Sequence, residues 1–229
     1  MKDLESRWDQ FSLTEDENSV IEVDSIDLED AAQKEERRLV CKLWSNRRVG
    51  KEVVRSTMTK IWKVSSSFSF QEVSTNLFVI VFECQEDARR VLKGKPWLFS
   101  SYVLVLKVFD GFTHLKQMKV DTEDFWIQLV NLPFVCMNRE VGKQIGESIG
   151  VVKEIDEWRD GSGWEGIMRV KVELNLKRTI ARGRTMNLLG KKYWIPLRYE
   201  KLPRMCFNCG VIVHGGEGCP KSGVGVNEK

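Results

Sequence analysis

The sequence predicts an α+β chain in three parts, and three observations predict it. Strand-like and helix-like periods alternate between residues 38 and 110 in the order β-α-β-β-α-β. A shorter passage with an echo of that order follows from 124 to about 203. Beyond it, residues of metal-ligating type crowd into 204–220. The first order is that of ferredoxin-like and RNA-recognition-type domains. The expected boundaries are an acidic flexible tail at 1–35, the first α+β domain at 36–112, a linker at 113–123, a smaller basic α+β region at 124–203, a metal module at 204–220 and a flexible end at 221–229.

RLVCKLWS reads as a strand with Leu39, Cys41 and Leu43 on one face. NRRVGKEVVRSTMTKIWKV follows as a helix, with Val49, Val53, Met58, Ile61 and Trp62 near helical spacing. FSFQEV and NLFVIVFE form a strand pair joined by the turn residues Ser74, Thr75 and Asn76. QEDARRVLKGKPW is a short helix stopped by Gly94 and Pro96, and YVLVLKVF closes the domain as a strand. In NLFVIVFE, Phe78, Ile80 and Phe82 share one face and Leu77, Val79 and Val81 the other. With the aromatic face under the helices, the open face is aliphatic, which suits an interface with the second half or another chain better than an RNA platform.

In the second passage FWIQLVNLP is a strand ending at Pro133. NREVGKQIGESIG is an amphipathic helix with Val141, Ile145 and Ile149 in line and Gly150 as its stop. VVKEIDEW, a DGSG turn and GIMRVKVELN make a hairpin. LKRTIARGRTM is basic with room for a short helix, and NLLGKKYWIPLRYEKLP supplies the closing strands.

The formal net charge of +3 conceals an asymmetry: residues 1–36 hold 13 Asp/Glu against 3 Lys/Arg, and the remainder holds 33 Lys/Arg against 20 Asp/Glu. The acidic piece lacks an apolar period and reads as a flexible tail, or a tail ending in a short helix, AAQKEERRL. The basic remainder suits a polyanionic partner. The start, MKDLESRWDQFSLTEDENSV, has no apolar run of the kind an export signal needs, and no stretch approaches the roughly 20 apolar residues of a membrane span. The expectation is a soluble intracellular protein, in nucleus or cytoplasm, with no membrane partner. Cys41, Cys84 and Cys136 stand apart among apolar neighbours, as core cysteines do.

The segment CFNCGVIVHGGEGC places Cys206, Cys209, His214 and Cys219 in the spacing C-x2-C-x4-H-x4-C. Three thiolates and one imidazole are a tetrahedral zinc set, so Zn2+ is the expected cofactor. Gly210 follows the second cysteine, where a turn needs positive φ. So short a module buries little core of its own, and the metal is expected to supply most of its folding free energy, roughly 10–16 kcal/mol in small zinc modules.

With these blocks read, a resemblance is visible. KGKPWLFSSYVLVLKVFDG, FWIQLVNLPFVCMNREVGKQIGESIG, GSGWEGIMRVKVELN and YWIPLRYEKLPRMCFNCG resemble a plant family with an N-terminal domain of unknown function and a C-terminal CCHC zinc knuckle, many of whose members derive from LINE-type non-LTR retrotransposons. The resemblance covers roughly 36–220. It implies zinc and nucleic-acid binding and no established activity.

Zinc knuckles hold single strands by stacking a base on an aromatic. Phe207 stands at the first such position, with packing over the metal loop as its alternative role. The second position holds Gly215, and Val213 stands where a glycine usually precedes the histidine, which puts base selectivity in doubt more than metal binding. Val211, Ile212 and Val213 offer a substitute apolar face or cover the metal loop. Upstream runs the densest basic stretch: Lys177, Arg178, Arg182, Arg184, Lys191, Lys192, Arg198, Lys201 and Arg204, against Glu200 alone. Tyr193, Trp194 and Tyr199 interleave with it, as phosphate contact with base stacking requires, although Trp194 also suits a half-buried core position. Gln128 stands where an RNA-recognition strand would carry an aromatic, and Arg169 and Lys171 alternate with apolar residues on the facing strand.

No P-loop, GxSxG or HExxH is present. Asp121, Glu123 and Asp124 read as a polar linker rather than a nuclease carboxylate set, and His114 lies in the loop GFTHLKQ. The expectation is a non-catalytic binder of single-stranded RNA or DNA. The rival is a protein-interaction or assembly module, self-associating or taking a protein partner through the first domain.

Overall fold

The computed structural model describes residues 37–115, 117–156, 167–214 and 219, together with 14 and 19–21. The fold is α+β, built on two five-stranded sheets. The first half runs β1 (Arg38–Leu43), α1 (Lys51–Trp62), β2 (Phe68–Ser74), β3 (Leu77–Phe82), α2 (Gln85–Lys93), β4 (Trp97–Phe99) and β5 (Tyr102–Val108). Its sheet order is β2-β3-β1-β5-β4. Leu39, Cys41 and Leu43 pack with Phe78, Ile80, Phe82, Leu104 and Leu106 beneath the two helices, as strand alternation requires. In α1 the buried stripe is Val54, Met58 and Trp62. Val53 and Ile61, expected inside, are exposed: they lie one residue off a stripe that repeats every four. Cys84 is also outside the core; it precedes α2 and its Sγ is 2.8 Å from Glu86. The short edge strand β4 was not expected.

The second half runs β6 (Thr122–Leu129), a 3-10 turn (Phe134–Cys136), α3 (Arg139–Glu147), β7 (Val151–Asp156), β8 (Met168–Asn175), β9 (Gly183–Leu188) and β10 (Lys191–Tyr199). Its sheet order, β7-β8-β6-β10-β9, repeats the plan of the first, with an added hairpin strand at the same edge. Asn138 caps α3 by accepting from the Val141 N–H at 3.0 Å. Where the first half carries α2, the second carries no helix among the described residues: 176–182 is irregular backbone, and the expected short helix in LKRTIARGRTM is replaced by β9. The competing requirement is the ladder, in which Gly183 to Leu188 pair residue by residue with Pro196 to Lys191. The expected tail, the DGSG turn and the last residues lie outside the described residues. Of AAQKEERRL, Arg38 and Leu39 are strand rather than helix.

The place of the missing helix is filled by the first half and by the metal module. Val103 and Val105, on the aliphatic face of the first sheet, share one core with Phe125, Ile127, Leu129, Val170, Val172 and Ile195 of the second. Ile212, between Cys209 and His214, is buried in that same core, with Met205 and Val213 packed against it. Beside the metal, expected to supply most of the module's folding free energy, apolar burial against the second sheet contributes to its fold. The linker reading of Asp121, Glu123 and Asp124 is corrected. Thr122 begins β6, and Glu123 is 0% exposed. Its carboxylate accepts from the Leu106 N–H at 3.1 Å, on β5 beyond the end of β4, and pairs with Lys95 at 3.0 Å.

Candidate metal centre and nucleic-acid interface

The turn after β10 places the cysteines. The Gly210 N–H donates to the Cys206 carbonyl and the Cys206 N–H to the Val211 carbonyl, both at 2.8 Å, which folds Cys206 and Cys209 back over one point. Gly210 has φ 74, as its residue type allows. A Cβ there would also lie 3.0 Å from Thr179 Cγ2, because the Gly210 carbonyl accepts from the Ile180 N–H at 2.9 Å. The loop is thus seated on residues 179–180.

The ligand atoms of Cys206, Cys209, His214 and Cys219 all lie within 4.8 Å of one another, and Cys209 Sγ is 3.4 Å from His214 Nε2. Tetrahedral zinc, with bonds of about 2.0–2.3 Å, sets its donors roughly 3.5–3.8 Å apart. The donors fit the ion with a small contraction, and their soft N/S chemistry selects it over oxygen-seeking cations. The His214 ring, helped by the Cys209 and Asn208 N–H groups, holds the Cys206 thiol down at about 6. That favours the thiolate, which is the ligand form.

Phe207 lies between the two cysteines and is 94% exposed. Its ring faces water instead of covering the metal loop. Trp194 is 55% exposed. It lies on the open face of the second sheet over Gly183, where an added Cβ would sit 2.3 Å from the indole. Alternation along β10 puts Lys192 and Arg198 on the same face, and both are exposed.

The rest of the basic run is divided among other surfaces. Arg184 turns to the helix side, donating to Ser148 Oγ at 3.0 Å and the Ser148 carbonyl at 3.1 Å. Lys177 pairs with Asp121 at 3.0 Å. Lys191 is exposed at the start of β10, Arg178 and Arg182 are exposed on 176–182, and Arg204 is exposed beside the knuckle. Tyr199 is structural: its hydroxyl donates to the Ala181 carbonyl at 2.7 Å, and burial pushes its pKa up to about 12.

The sequence reading missed Trp126. It lies on the open face with the Arg169 guanidinium 4.6 Å and the Lys171 ammonium 5.6 Å from its ring centroid. Glu200 holds Arg169 there through two bonds of 2.9 and 3.1 Å, and itself accepts from Gln128 at 3.0 Å. The signal was available in the pattern: Trp126 follows the buried Phe125 by one residue, and Lys171 is its cross-strand partner. Trp126 is therefore stacked by its own cations, and Trp194 is the open ring of this face.

Comparison with known proteins finds the domain family described as Domain of unknown function (DUF4283) over residues 31–116 and the family described as Zinc knuckle over 178–221. The knuckle match begins upstream of Cys206, in the stretch on which the loop is seated. An uncharacterized protein of Arabidopsis thaliana is 22% identical over 135 residues, covering 58% of this chain, and the chain spans 42% of that relative's length. Among solved structures, the Sxl-lethal protein/RNA complex is similar with a TM-score of 0.27 and 10% identity, over 71% of this chain and 98% of that one. The first two RRM domains of yeast poly(U) binding protein (Pub1) give 0.24 and 12%, over 72% and 98%. No described helix is long and apolar enough to cross a membrane. The convergent ligand set and the two matched families together show that the chain joins a DUF4283 domain to a C-terminal CCHC zinc knuckle that binds zinc, the organisation of the plant family it resembles.

Proposed function

We propose that this chain is a non-catalytic, zinc-containing protein that binds single-stranded nucleic acid, of the retrotransposon-derived, intracellular kind its sequence resembles. The observation that carries the reading is Phe207, an almost fully exposed aromatic between two zinc ligands, with Arg204 beside it. Exposing a phenyl ring on a loop fixed by metal costs solvation and gives the fold nothing; a stacked base would recover that cost. Trp194 with Lys192 and Arg198 supplies a second surface of the same chemistry on the open sheet face. The rival reading, an assembly module working through the first domain, has less open surface to use: Leu77, Val79, Val103 and Val105 are buried within the chain and Val81 is half-buried.

The test is a binding titration against single-stranded RNA, single-stranded DNA and duplex over a range of salt. Single strands should bind with log K falling linearly in log salt. Phe207→Ala should cost about 1–3 kcal/mol with an unchanged slope, because stacking releases no counterions. Equal binding of duplex and single strand, or a silent Phe207→Ala, would return the knuckle to a structural or protein-contact role.

A further inference from the structure

A groove of about 350 Å³ separates the zinc knuckle from the first half of the chain. Asn46, Arg47 and Tyr102 line one wall, and Arg204, Phe207 and Val213 line the other. The volume is at the low end of small-molecule sites, about 300–1,000 Å³, the scale of one nucleotide rather than a duplex. Resting on the single-strand reading above, we propose that this groove is a composite nucleotide site. One base of a single strand stacks on Phe207, and its phosphate is held between Arg204 and Arg47, so that the DUF4283 domain completes the site of the knuckle.

Three observations carry this. The first is charge: two arginines, Arg47 from the first half and Arg204 from the knuckle side, line the groove, and no acidic residue lines it among the described residues. Guanidinium suits phosphate because its planar donors match two oxygens at once. The second is rigidity. Arg47 lies on the exposed loop after β1, and that loop is held from within by Asn76, which is 2% exposed. The Asn76 amide donates to the Ser45 carbonyl at 3.1 Å and the Arg47 carbonyl at 2.8 Å, and accepts from the Val49 N–H at 2.9 Å. A buried asparagine spent entirely on one surface loop fixes where Arg47 starts and lowers the cost of ordering it on a ligand. The third is the fixed distance between the walls. The Arg204 N–H donates to the Ser101 carbonyl at 2.8 Å, and Lys201 Nζ donates to the Gly94 carbonyl at 3.2 Å. The segment leading from β10 into the knuckle is thereby bonded to the first half, so the groove is built into the fold. Asn46, on the same loop, offers both a donor and an acceptor to a base edge.

The experiment uses the full zinc-loaded chain and a short single-stranded RNA oligonucleotide, followed by fluorescence anisotropy over a salt series. Arg47→Ala should raise Kd about three- to tenfold and flatten the log–log salt slope by about 0.7, one single-strand phosphate contact. Arg47→Lys should restore the slope. Lys60→Ala removes the same charge from the exposed side of α1 and should leave both quantities unchanged. If Arg47→Ala behaves like Lys60→Ala while Phe207→Ala still weakens binding, the composite site is wrong and the knuckle reading stands. If the unaltered chain binds no single strand at any salt, both fall together.

Discussion

Lys95 and Glu123 are the residues that join the halves by charge. Lys95 is 11% exposed and meets Glu123 at 3.0 Å and Asp124 at 3.4 Å. Burial alone would lower the Lys95 pKa, but the two carboxylates outweigh it and hold the ammonium above its usual range. Burial pushes the Glu123 carboxyl up, against the pull of Lys95. Breaking one side of a buried pair costs about 3–5 kcal/mol because the other charge is left in a poor solvent. Glu123→Gln keeps one oxygen for the Leu106 N–H, but puts an NH2 where Oε1 accepts from the Asp124 N–H and meets Lys95, so it removes the charge and one acceptor. With Asp124 still facing Lys95, its expected cost is about 3 kcal/mol in urea denaturation. A change below about 1 kcal/mol would put the pair among surface bridges. An acidic residue in an acid-rich stretch reads as solvated loop, and only the neighbouring strand edge reveals Glu123 as a buried cap.

Among the elements, those with a clean period were legible. The alternation in MRVKVELN assigned faces correctly because that strand has a wet side and a dry side. In LFVIVF, covered on both sides, it was the alternation of Phe78, Ile80 and Phe82 with aliphatic residues that separated the faces. What escaped were elements whose reason lies elsewhere in the fold. The three residues of β4 are strand because β5 offers them an edge, and Ile212 is buried because the second sheet lacks a helix there. α3 has a different hidden constraint. A Cβ on Gly146 would lie 2.6 Å from Val152 and 2.9 Å from Val170, so the helix rests directly on the sheet. Gly146→Ala would gain about 1 kcal/mol in helix propensity and lose more to overpacking, typically about 1–3 kcal/mol. A net fall in stability of about 1 kcal/mol is expected by chemical denaturation; a more stable variant would mean that α3 can lift from β7 and β8 without cost.

For the molecule as a whole, the shared core predicts that the halves unfold as one cooperative unit. Tryptophan fluorescence and far-ultraviolet circular dichroism should report a single coincident unfolding transition. Val105→Asp, which buries an unpaired charge between the sheets, should destabilise by several kcal/mol and move both signals together. Two resolved transitions, with only one displaced by Val105→Asp, would show that the halves are energetically separate. The sequence offered two similar element orders and an aliphatic face suited to the second half or to another chain, without deciding between the two. An aliphatic strand face looks the same whether a helix, a second sheet or another chain covers it.

The burial of Val103 and Val105 also bears on where the chain divides. The matched span of the first domain ends at residue 116, yet the surface that dries its outer face comes from Phe125 onward. A boundary of descent and a boundary of solubility therefore fall at different places. A chain stopped at the former would present a bare aliphatic sheet to water and adhere to whatever is near. The first domain should therefore stay soluble only when the second half is present to cover that face.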